Sequence, residues 1–317
     1  MSFPFNTHAQ VVLYHKDCFD GMCAAWVYSK WLDGIYSSAG GSGSDVKFYA
    51  ISHNSAQIPT ACIGKRVLLL DFCYKQPRLN TLLGVAQFVI ILDHHKTSQN
   101  ITVPEDKGFI VLDMERSGCQ LAYDFVYSQL LSRNTIKRLP LVDYIGTRDL
   151  WKWDLPDCKE ITTYIYSKPI TFEAMNELAE NWNIVEYTKR GSILLESRKK
   201  DTSEISKSSF SATFTVNGTP PATYTVKVVD CNWMFRSDVG NYLMECDSVD
   251  FAVLYSYYAN TKKFSVSLRG KDKVDLSKIA EHFGGGGHPN AAAFQCSDMS
   301  FITALPYVSR EQEDNIE

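Results

Sequence analysis

The fold of this chain is indicated by the segment Phe88–His95, which reads FVIILDHH. Five consecutive apolar residues are typical of a strand that is buried on both faces, as in a parallel sheet. The residues that follow, Asp93, His94 and His95, would lie at the carboxyl end of that strand, where open α/β sheets bind their ligands. A carboxylate and two imidazoles in that position favour a metal site.

Two upstream apolar runs, residues 11–14 and 67–70, also end in polar side chains that can bind metal. These side chains are His15, Asp17 and Asp20 after the first run and Asp71 after the second. Helical segments fit between the runs, over Gly21–Leu32 and Lys75–Val85, and Pro77 suits the start of the second segment. The alternation predicts an α/β fold with a parallel sheet and helices on both of its faces.

Composition excludes several classes of protein. A chain of 317 residues with 45% hydrophobic content can bury the cores of two domains. No apolar run approaches the roughly 20 residues of a membrane span, and residues 1–10 lack a signal-peptide pattern. Nine cysteines without paired spacing favour a reducing, cytoplasmic location. A net charge of −4 argues against a protein that coats long nucleic acids.

The predicted secondary structure changes along the chain. Alternating strand-like and helix-like segments are followed by a polar stretch and then by β-rich segments. The β-rich segments are Ala212–Val216, Tyr224–Val229, Phe251–Tyr257 and Lys263–Leu268. We therefore expect four regions. They are an N-terminal α/β domain over residues 1–185, a connecting helix and linker over 186–210, a smaller C-terminal α/β domain over 211–309 and an acidic tail over 310–317.

The C-terminal region carries the segment Gly284–Ala293, which reads GGGGHPNAAA. Glycines let backbone approach a ligand closely, and the small residues after them suit the start of a helix. Backbone N–H groups at Gly285, Gly286 and Gly287 would then form an anion site. Two side chains would add donors for a phosphate, namely His288 and, at the end of a predicted strand, Arg269.

Taken as an ordered set, these motifs resemble the DHH phosphoesterases of the DHH/DHHA1 type, which include nano-RNases and cyclic-dinucleotide phosphodiesterases. The resemblance spans nearly the whole chain. It rests on HKDCFDG at 15–21, Asp71, DHH at 93–95, GTRDLW at 146–151 and the glycine segment. It implies an N-terminal DHH domain that binds two manganese ions, with Mg²⁺ as the alternative, and a DHHA1 domain that holds substrate.

The resemblance also implies roles for individual residues, although Asp20 alone suits a helix cap and Asp71 alone a turn. His15 would bind one ion, Asp71 would bridge both, and the second ion would be held by Asp20, His94 and Asp149. His95 would donate to a substrate phosphate, act through water as a general acid or orient a metal ligand, and the resemblance favours contact with the substrate. Asp93 would support the histidines by hydrogen bonding.

The first motif departs from the family pattern, in which two aspartates usually lie two positions apart, because this chain has Cys18 and Asp20. Asp17 would replace the missing ligand, Cys18 would coordinate as a thiolate, or the first ion would bind weakly with extra water. The preference of manganese for oxygen favours Asp17. The fourth motif is also ambiguous in register, with Asp149 preferred over Thr147 and Asp143.

The resemblance predicts a metal-dependent phosphodiesterase that hydrolyses short oligonucleotides or small nucleotides to mononucleotides, as exonucleases do, without a membrane partner. One alternative is a DHH-fold protein that binds nucleic acid or nucleotides without turnover. Another is a polyphosphate or pyrophosphate hydrolase. The sequence leaves open RNA or DNA, linear or cyclic substrate, the direction of cleavage, and whether the chain forms a homodimer.

Overall fold

A computed structural model describes residues 9–38, 45–52, 57–127, 137–217 and 220–305. The chain divides into two compact units, Met1–Leu195 and Glu196–Glu317. The predicted acidic tail, residues 310–317, lies outside the described residues. Across the described ranges, no helix combines the length and the apolar character that crossing a bilayer requires.

The N-terminal unit alternates strands and helices before an all-helical segment. Its elements are β1 (Val11–His15), α1 (Phe19–Ser38), β2 (Lys47–Ile51), β3 (Arg66–Leu70), α2 (Gln76–Val85), β4 (Phe88–Asp93), β5 (Gly108–Leu112), α3 (Gly118–Tyr127), α4 (Pro140–Asp149), α5 (Cys158–Tyr166), α6 (Phe172–Glu180) and α7 (Ile184–Lys207). The last helix, α7, continues across the boundary into the C-terminal unit.

The five strands form one parallel sheet in the order β2-β1-β3-β4-β5. Successive residues of a strand point to opposite faces, and here both faces are apolar. Leu68 and Ile90 belong to the core beneath α1 and α3, whereas Leu69 and Ile91 belong to the core beneath α2. The predicted α/β fold, with a parallel sheet between helices, is confirmed.

The three predicted strands of this sheet are its central ones, and each is one residue longer than its apolar run. The two edge strands are not evident from the sequence. Of the five residues in β2, only Ile51 is buried, and of the five in β5, only Gly108 is. An edge strand covers less core, so it carries a weaker apolar pattern.

The C-terminal unit is built around a second, mixed sheet. Its elements are β6 (Phe210–Val216), β7 (Ala222–Asp230), α8 (Arg236–Cys246), β8 (Phe251–Tyr258), β9 (Lys263–Arg269), α9 (Leu276–His282), β10 (Gly286–His288), β11 (Ala291–Cys296) and β12 (Ile302–Ala304). The strand order is β10-β11-β9-β8-β7-β6-β12, and β7 and β8 pair in parallel. Separate apolar clusters contain residues of α8 and of α9, which matches a smaller α/β domain.

The prediction of a helix start within Gly284–Ala293 is wrong, because this segment forms the hairpin β10–β11. The preceding helix, α9, ends here with Gly284 at a φ of +81°, and the Gly285 N–H donates to the Ala280 carbonyl (2.7 Å). This is a glycine-terminated helix end. A side chain on Gly285 would also place its Cβ 2.0 Å from the Ala293 oxygen. These two glycines therefore end a helix and let strands approach.

A core substitution tests the sheet. Ile90→Ala, at a residue 1% exposed, should lower the free energy of unfolding by about 2–5 kcal/mol, because it removes buried methyl groups and leaves a cavity. The matched control is Ile193→Ala, at a residue 66% exposed, which should change it by no more than about 0.5 kcal/mol. Urea unfolding followed by circular dichroism measures both, and equal losses would contradict the core position of Ile90.

Candidate metal centre

The strand order places a crevice at the carboxyl edge of the N-terminal sheet. The chain runs from β1 outward to β2 and then returns to β3 on the other side of β1. Ligands of open α/β sheets bind where the strand order reverses in this way. His15 ends β1, Asp71 follows β3, and His94 follows β4, so all three lie at this edge.

Asp71 lies between two imidazoles. Its Oδ2 is 3.2 Å from Nδ1 of His15, and its Oδ1 is 3.0 Å from Nε2 of His94. Burial opposes ionisation of this carboxyl, but hydrogen bonds from the two histidines outweigh it and hold the pKa of Asp71 well below its usual range. Its φ of +62° is left-handed, a conformation that costs about 1–3 kcal/mol and is found at functional sites.

His94 is surrounded by carboxylates. Besides Asp71, its Nε2 lies 3.4 Å from Oδ2 of Asp149 and 3.7 Å from Oδ2 of Asp20. Burial alone would lower the pKa of His94, but the hydrogen bond to Asp71 and the charges of all three carboxylates raise it to about 10. In the absence of a metal ion, this imidazole therefore carries a proton that balances part of the negative charge.

Asp20 is held by the amino-terminal end of α3. One oxygen accepts from the Ser117 hydroxyl (2.7 Å) and the Cys119 N–H (3.0 Å), and the other accepts from the Gly118 N–H (2.5 Å). Burial, followed by the charges of Asp71 and Asp149, raises the pKa of Asp20 well above its usual value. A cation at this position would offset the repulsion between the carboxylates and stabilise the ionised form of Asp20.

The donor atoms fit a divalent metal ion. Ligand atoms of His15, Asp71 and His95 lie within 4.8 Å of one another, and so do those of Asp20, Asp71 and His94. Asp71 belongs to both groups. Imidazole nitrogen and carboxylate oxygen together suit manganese, iron and zinc. The cluster can therefore bind metal, and its shared carboxylate is placed as a bridging ligand would be.

His95 is oriented by Asp93, which is completely buried. The Asp93 Oδ1 lies 2.8 Å from Nδ1 of His95 and also accepts from the His94 N–H (2.8 Å), while Oδ2 accepts from the Ser98 hydroxyl (2.5 Å). Burial alone would lower the pKa of His95, but the Asp93 charge raises it. Nδ1 of His95 therefore faces Asp93.

The structure separates the two candidates of the first motif. Asp17 has a φ of +55°, its side chain is 75% exposed, and it lies 3.9 Å from Nζ of Lys16. Cys18 is partly buried, and its sulfur accepts the Gly21 N–H. Burial, then the charges of Asp71, Asp149 and Asp20, raise the pKa of the Cys18 thiol. The Asp17 side chain therefore points to solvent, and Cys18 is the less exposed of the two.

The fourth motif is resolved in a similar way. Asp149 ends α4 and lies beside His94, as described above. Thr147 instead donates to Asp154, and Asp143 pairs with Arg138 (3.3 Å) and accepts from Gln120 of α3 (3.3 Å). Of the three alternatives, Asp149 is the one that the structure brings to the cluster.

The predicted phosphate-binding residues lie together in the C-terminal sheet. Ala291 pairs with His288 on one side and with Arg269 on the other, so the three side chains point to the same face. The neighbouring hairpin pairs are Gly286 with Ala293 and Gly287 with Ala292. The Arg269 guanidinium donates to the Ser237 hydroxyl (3.0 Å). Burial, followed by the positive charge of Arg236, lowers the pKa of Arg269 to about 10.

Several contributors are not predicted by the motifs. Ser117, Gly118 and Ser98 hold the cluster carboxylates through hydrogen bonds. Ser117 precedes the apolar helix α3 and Gly118 begins it, a pattern that predicts a helix start but not the carboxylate that the start binds. Arg148 is buried with its Cζ 4.3 Å from the Tyr166 ring centroid and 5.5 Å from that of Trp153. These contacts support α4 behind the site.

A small substitution beside the cluster tests its geometry. In Gly118→Ala the new Cβ would lie 2.5 Å from the Asp71 Cβ and 2.8 Å from Oδ2 of Asp20, so both carboxylates must move. We expect metal binding, measured by equilibrium dialysis, to weaken by about 10- to 100-fold. Gly84→Ala, which meets nothing within 4 Å, is the matched control and should bind metal normally. Equal affinities would show that Gly118 does not position the carboxylates.

The pKa of His94 predicts how stability changes with pH. A folded pKa of about 10, above the ordinary value of 6.5, stabilises the fold below the ordinary value, and this contribution is lost as pH rises toward 10. The free energy of unfolding of chelator-treated protein should therefore fall between pH 7 and 9. With Mn²⁺ the fall should be smaller, because metal binding needs neutral imidazole. Parallel slopes with and without metal would contradict this prediction.

Similarities to other proteins agree with this architecture. Residues 234–312 match the family model of the DHHA1 domain. The uncharacterized protein R106 of Acanthamoeba polyphaga mimivirus is 29% identical over 303 residues, which are 91% of this chain and 68% of that protein.

Two solved structures have a similar fold. One is the DHH domain of a protein described as a member of a family of ribosomal proteins (TM-score 0.56, 14% identity, 94% of this chain and 83% of that one). The other is RecJ of Thermus thermophilus in complex with Mn²⁺ (TM-score 0.52, 14% identity, 90% of this chain). This chain spans 49% of RecJ. The chain therefore has a DHHA1 domain at residues 234–312 and a fold similar to that of these two structures, as the resemblance to DHH/DHHA1 phosphoesterases predicts.

Proposed function

We propose that this chain is a metal-dependent phosphodiesterase that hydrolyses short oligonucleotides or small nucleotides to mononucleotides. The observation that carries the proposal is the position of Asp71, whose two oxygens each lie beside a different imidazole and belong to two overlapping groups of ligand atoms. Such an arrangement suits two divalent ions that share one carboxylate.

The residues that would hold the ions are those of the cluster. They are His15, Asp71, Asp20, His94 and Asp149. When bound, paired divalent ions stabilise charge on phosphoryl oxygens and lower the pKa of a water molecule. Mn²⁺ is the first choice of ion, in line with its presence in the RecJ structure of similar fold, and Mg²⁺ is the second.

His95 would handle the proton of the leaving group. Asp93 fixes the ring through Nδ1 and raises the pKa of His95, so a proton on Nε2 can be donated to the departing oxygen. Asp93 itself is completely buried and receives donors on both oxygens, which favours a fixed position. Its proposed role is to position His95.

Arg269 would bind a phosphate of the substrate, together with His288 and the backbone of Gly286 and Gly287, whereas the Gly285 N–H is already bonded to the Ala280 carbonyl. Burial and the nearby Arg236 both oppose the positive charge of Arg269. An anion beside its guanidinium would therefore be bound favourably. His288, Ala291 and Arg269 share one face of the sheet, with a small residue between the two donors.

A substrate panel tests the proposal. The full chain is stripped of metal, reloaded with Mn²⁺ or Mg²⁺, and incubated with RNA and DNA dinucleotides, longer single strands, cyclic dinucleotides, adenosine bisphosphate and pyrophosphate. Chromatography should detect mononucleotides from the short substrates only when metal is present. Phosphate from pyrophosphate alone would instead indicate a pyrophosphate hydrolase. Tight metal and nucleotide binding without any product would indicate a binding protein.

Two isosteric substitutions separate metal binding from positioning. Asp71→Asn should remove both metal and activity, because the shared ligand loses its charge. Asp93→Asn should keep the metal but lower kcat by about 10- to 100-fold, because His95 loses its partner. Metal analysis and steady-state kinetics measure the two effects, with Asp106→Asn at an exposed turn as the matched control. Full activity of Asp71→Asn would refute the proposed centre.

A further inference from the structure

Helix α4 ends with a tryptophan where glycine is usual. The Trp151 N–H donates to the Arg148 carbonyl (3.0 Å). The next N–H, that of Lys152, donates to the Thr147 carbonyl (2.8 Å). These two bonds form a Schellman motif, in which the residue at the position of Trp151 has a left-handed backbone and is most often glycine. Trp151 has a φ of +58°. Helix termination alone therefore does not explain an aromatic residue at this position.

The left-handed conformation recurs at Trp153, which has a φ of +56°. This conformation is rare for bulky residues, and strained backbone of this kind is concentrated at functional sites. Both tryptophans follow Asp149, whose carboxylate lies beside His94 in the metal cluster. Because Trp151 is only two residues after Asp149, their Cα atoms are at most about 7.6 Å apart. The strained segment therefore adjoins the cluster.

The two indole rings have different surroundings. Trp153 is partly buried against the N-terminal core, with Cζ of Arg148 5.5 Å and Nζ of Lys159 5.6 Å from its ring centroid. The Trp151 ring packs edge-to-face with that of Trp153, with 4.6 Å between centroids and an interplanar angle of 76°. Trp151 nevertheless remains 38% exposed. Trp153 thus anchors the pair, and Trp151 presents a supported aromatic ring to solvent.

The residue between the two tryptophans fixes the segment beside the loop that holds Asp20. The Lys152 ammonium donates to the Glu115 carbonyl (2.9 Å) and to Oε2 of the same residue (3.2 Å). Ser117, two residues further along this loop, donates to Asp20 (2.7 Å). Trp151 is therefore held between the end of α4 and the loop before α3, and both of these supply or fix carboxylates of the metal cluster.

We infer that the indole of Trp151 is the stacking surface for a nucleobase of the substrate, so that the N-terminal unit recognises phosphodiesters that carry a base in preference to phosphate chains without one. The inference rests on the proposed function and narrows its substrate class. Stacking of a base on an aromatic side chain is strong and tolerates any base, because every base has a π-face. A phosphate chain or a sugar has no such face. Trp151 would therefore select for the presence of a base and not for its identity.

A pair of small ligands tests the inference without any need for turnover. The probes are adenosine 5′-monophosphate and ribose 5-phosphate, which differ in the presence of the base. Calorimetric titration of the full, Mn²⁺-loaded chain gives the ratio of their affinities. This ratio should fall by about 5- to 150-fold in Trp151→Gly, because the base then loses its stacking partner. Glycine suits the left-handed backbone, so the variant should keep the fold.

Two further variants separate stacking from a general loss of structure. Trp151→Phe keeps an aromatic face and should retain most of the affinity ratio. The matched control is Tyr257→Ala, which removes another exposed ring, 53% exposed and packed on Phe264 with 5.0 Å between centroids, and should leave the ratio unchanged. If Trp151→Gly does not fold, the ratio is measured in Trp151→Asn, since asparagine also tolerates a left-handed backbone.

A fluorescent dinucleotide gives a spectroscopic signature of stacking. The fluorescence of 2-aminopurine is quenched when the base stacks on an aromatic ring, so a dinucleotide that contains it should be quenched by the unmodified chain and much less by Trp151→Gly. If the dinucleotide is hydrolysed, the same variant should raise KM with little change in kcat, because stacking holds the base equally in the ground state and in the transition state.

The outcomes distinguish the inference from the proposed function. Equal affinity of the unmodified chain for the two probes, an affinity ratio that Trp151→Gly leaves unchanged, or equal quenching by both proteins would overturn the inference, and metal-dependent hydrolysis would still stand. Base-dependent binding through Trp151 without any hydrolysis would support the inference and refute the proposed function.

Discussion

Electrostatic repulsion between three carboxylates at one edge of a parallel sheet is the constraint on which this structure depends. Asp20 and Asp71 are buried, and Asp149 lies with them around Nε2 of His94. Charges in such an environment destabilise one another unless protons or cations balance them. The raised pKa of His94 is one response of the metal-free protein, and a divalent ion would replace that proton as the balancing charge.

The surrounding structure holds the carboxylates in spite of this repulsion. Three donors at the start of α3 fix Asp20, and backbone and hydroxyl donors fix Asp93. Asp71 is held in a left-handed conformation by its position after β3, where its N–H donates to the Leu92 carbonyl of the neighbouring strand (2.9 Å). The cluster is therefore organised mainly by the sheet and by helix ends, which hold its side chains in fixed positions.

The sequence predicts an element of the fold or the site well when the contacts that determine it are local in sequence, and poorly when they join distant residues. The central strands β1, β3 and β4 carry continuous apolar runs, so their ends, and with them His15, Asp71 and His94, could be placed in advance. The partners of Asp20 lie 97 to 99 residues away, and no local pattern identifies them. The glycine segment led to the wrong prediction of a helix start, because glycines are common both at helix ends and where strands approach closely. Only the pairing of β11 with β10 and with β9, which is distant in sequence, identifies the segment as a hairpin.

The contrast between Asp17 and Cys18 shows where chemical preference alone is insufficient. Oxygen suits manganese better than sulfur does, and this favours Asp17 when only the sequence is considered. In the structure, α1 starts at Phe19 and leaves Asp17 in a left-handed conformation with its side chain 75% exposed. Backbone conformation thus decides which of two adjacent side chains is exposed, and the chemistry of the side chains alone does not predict that choice.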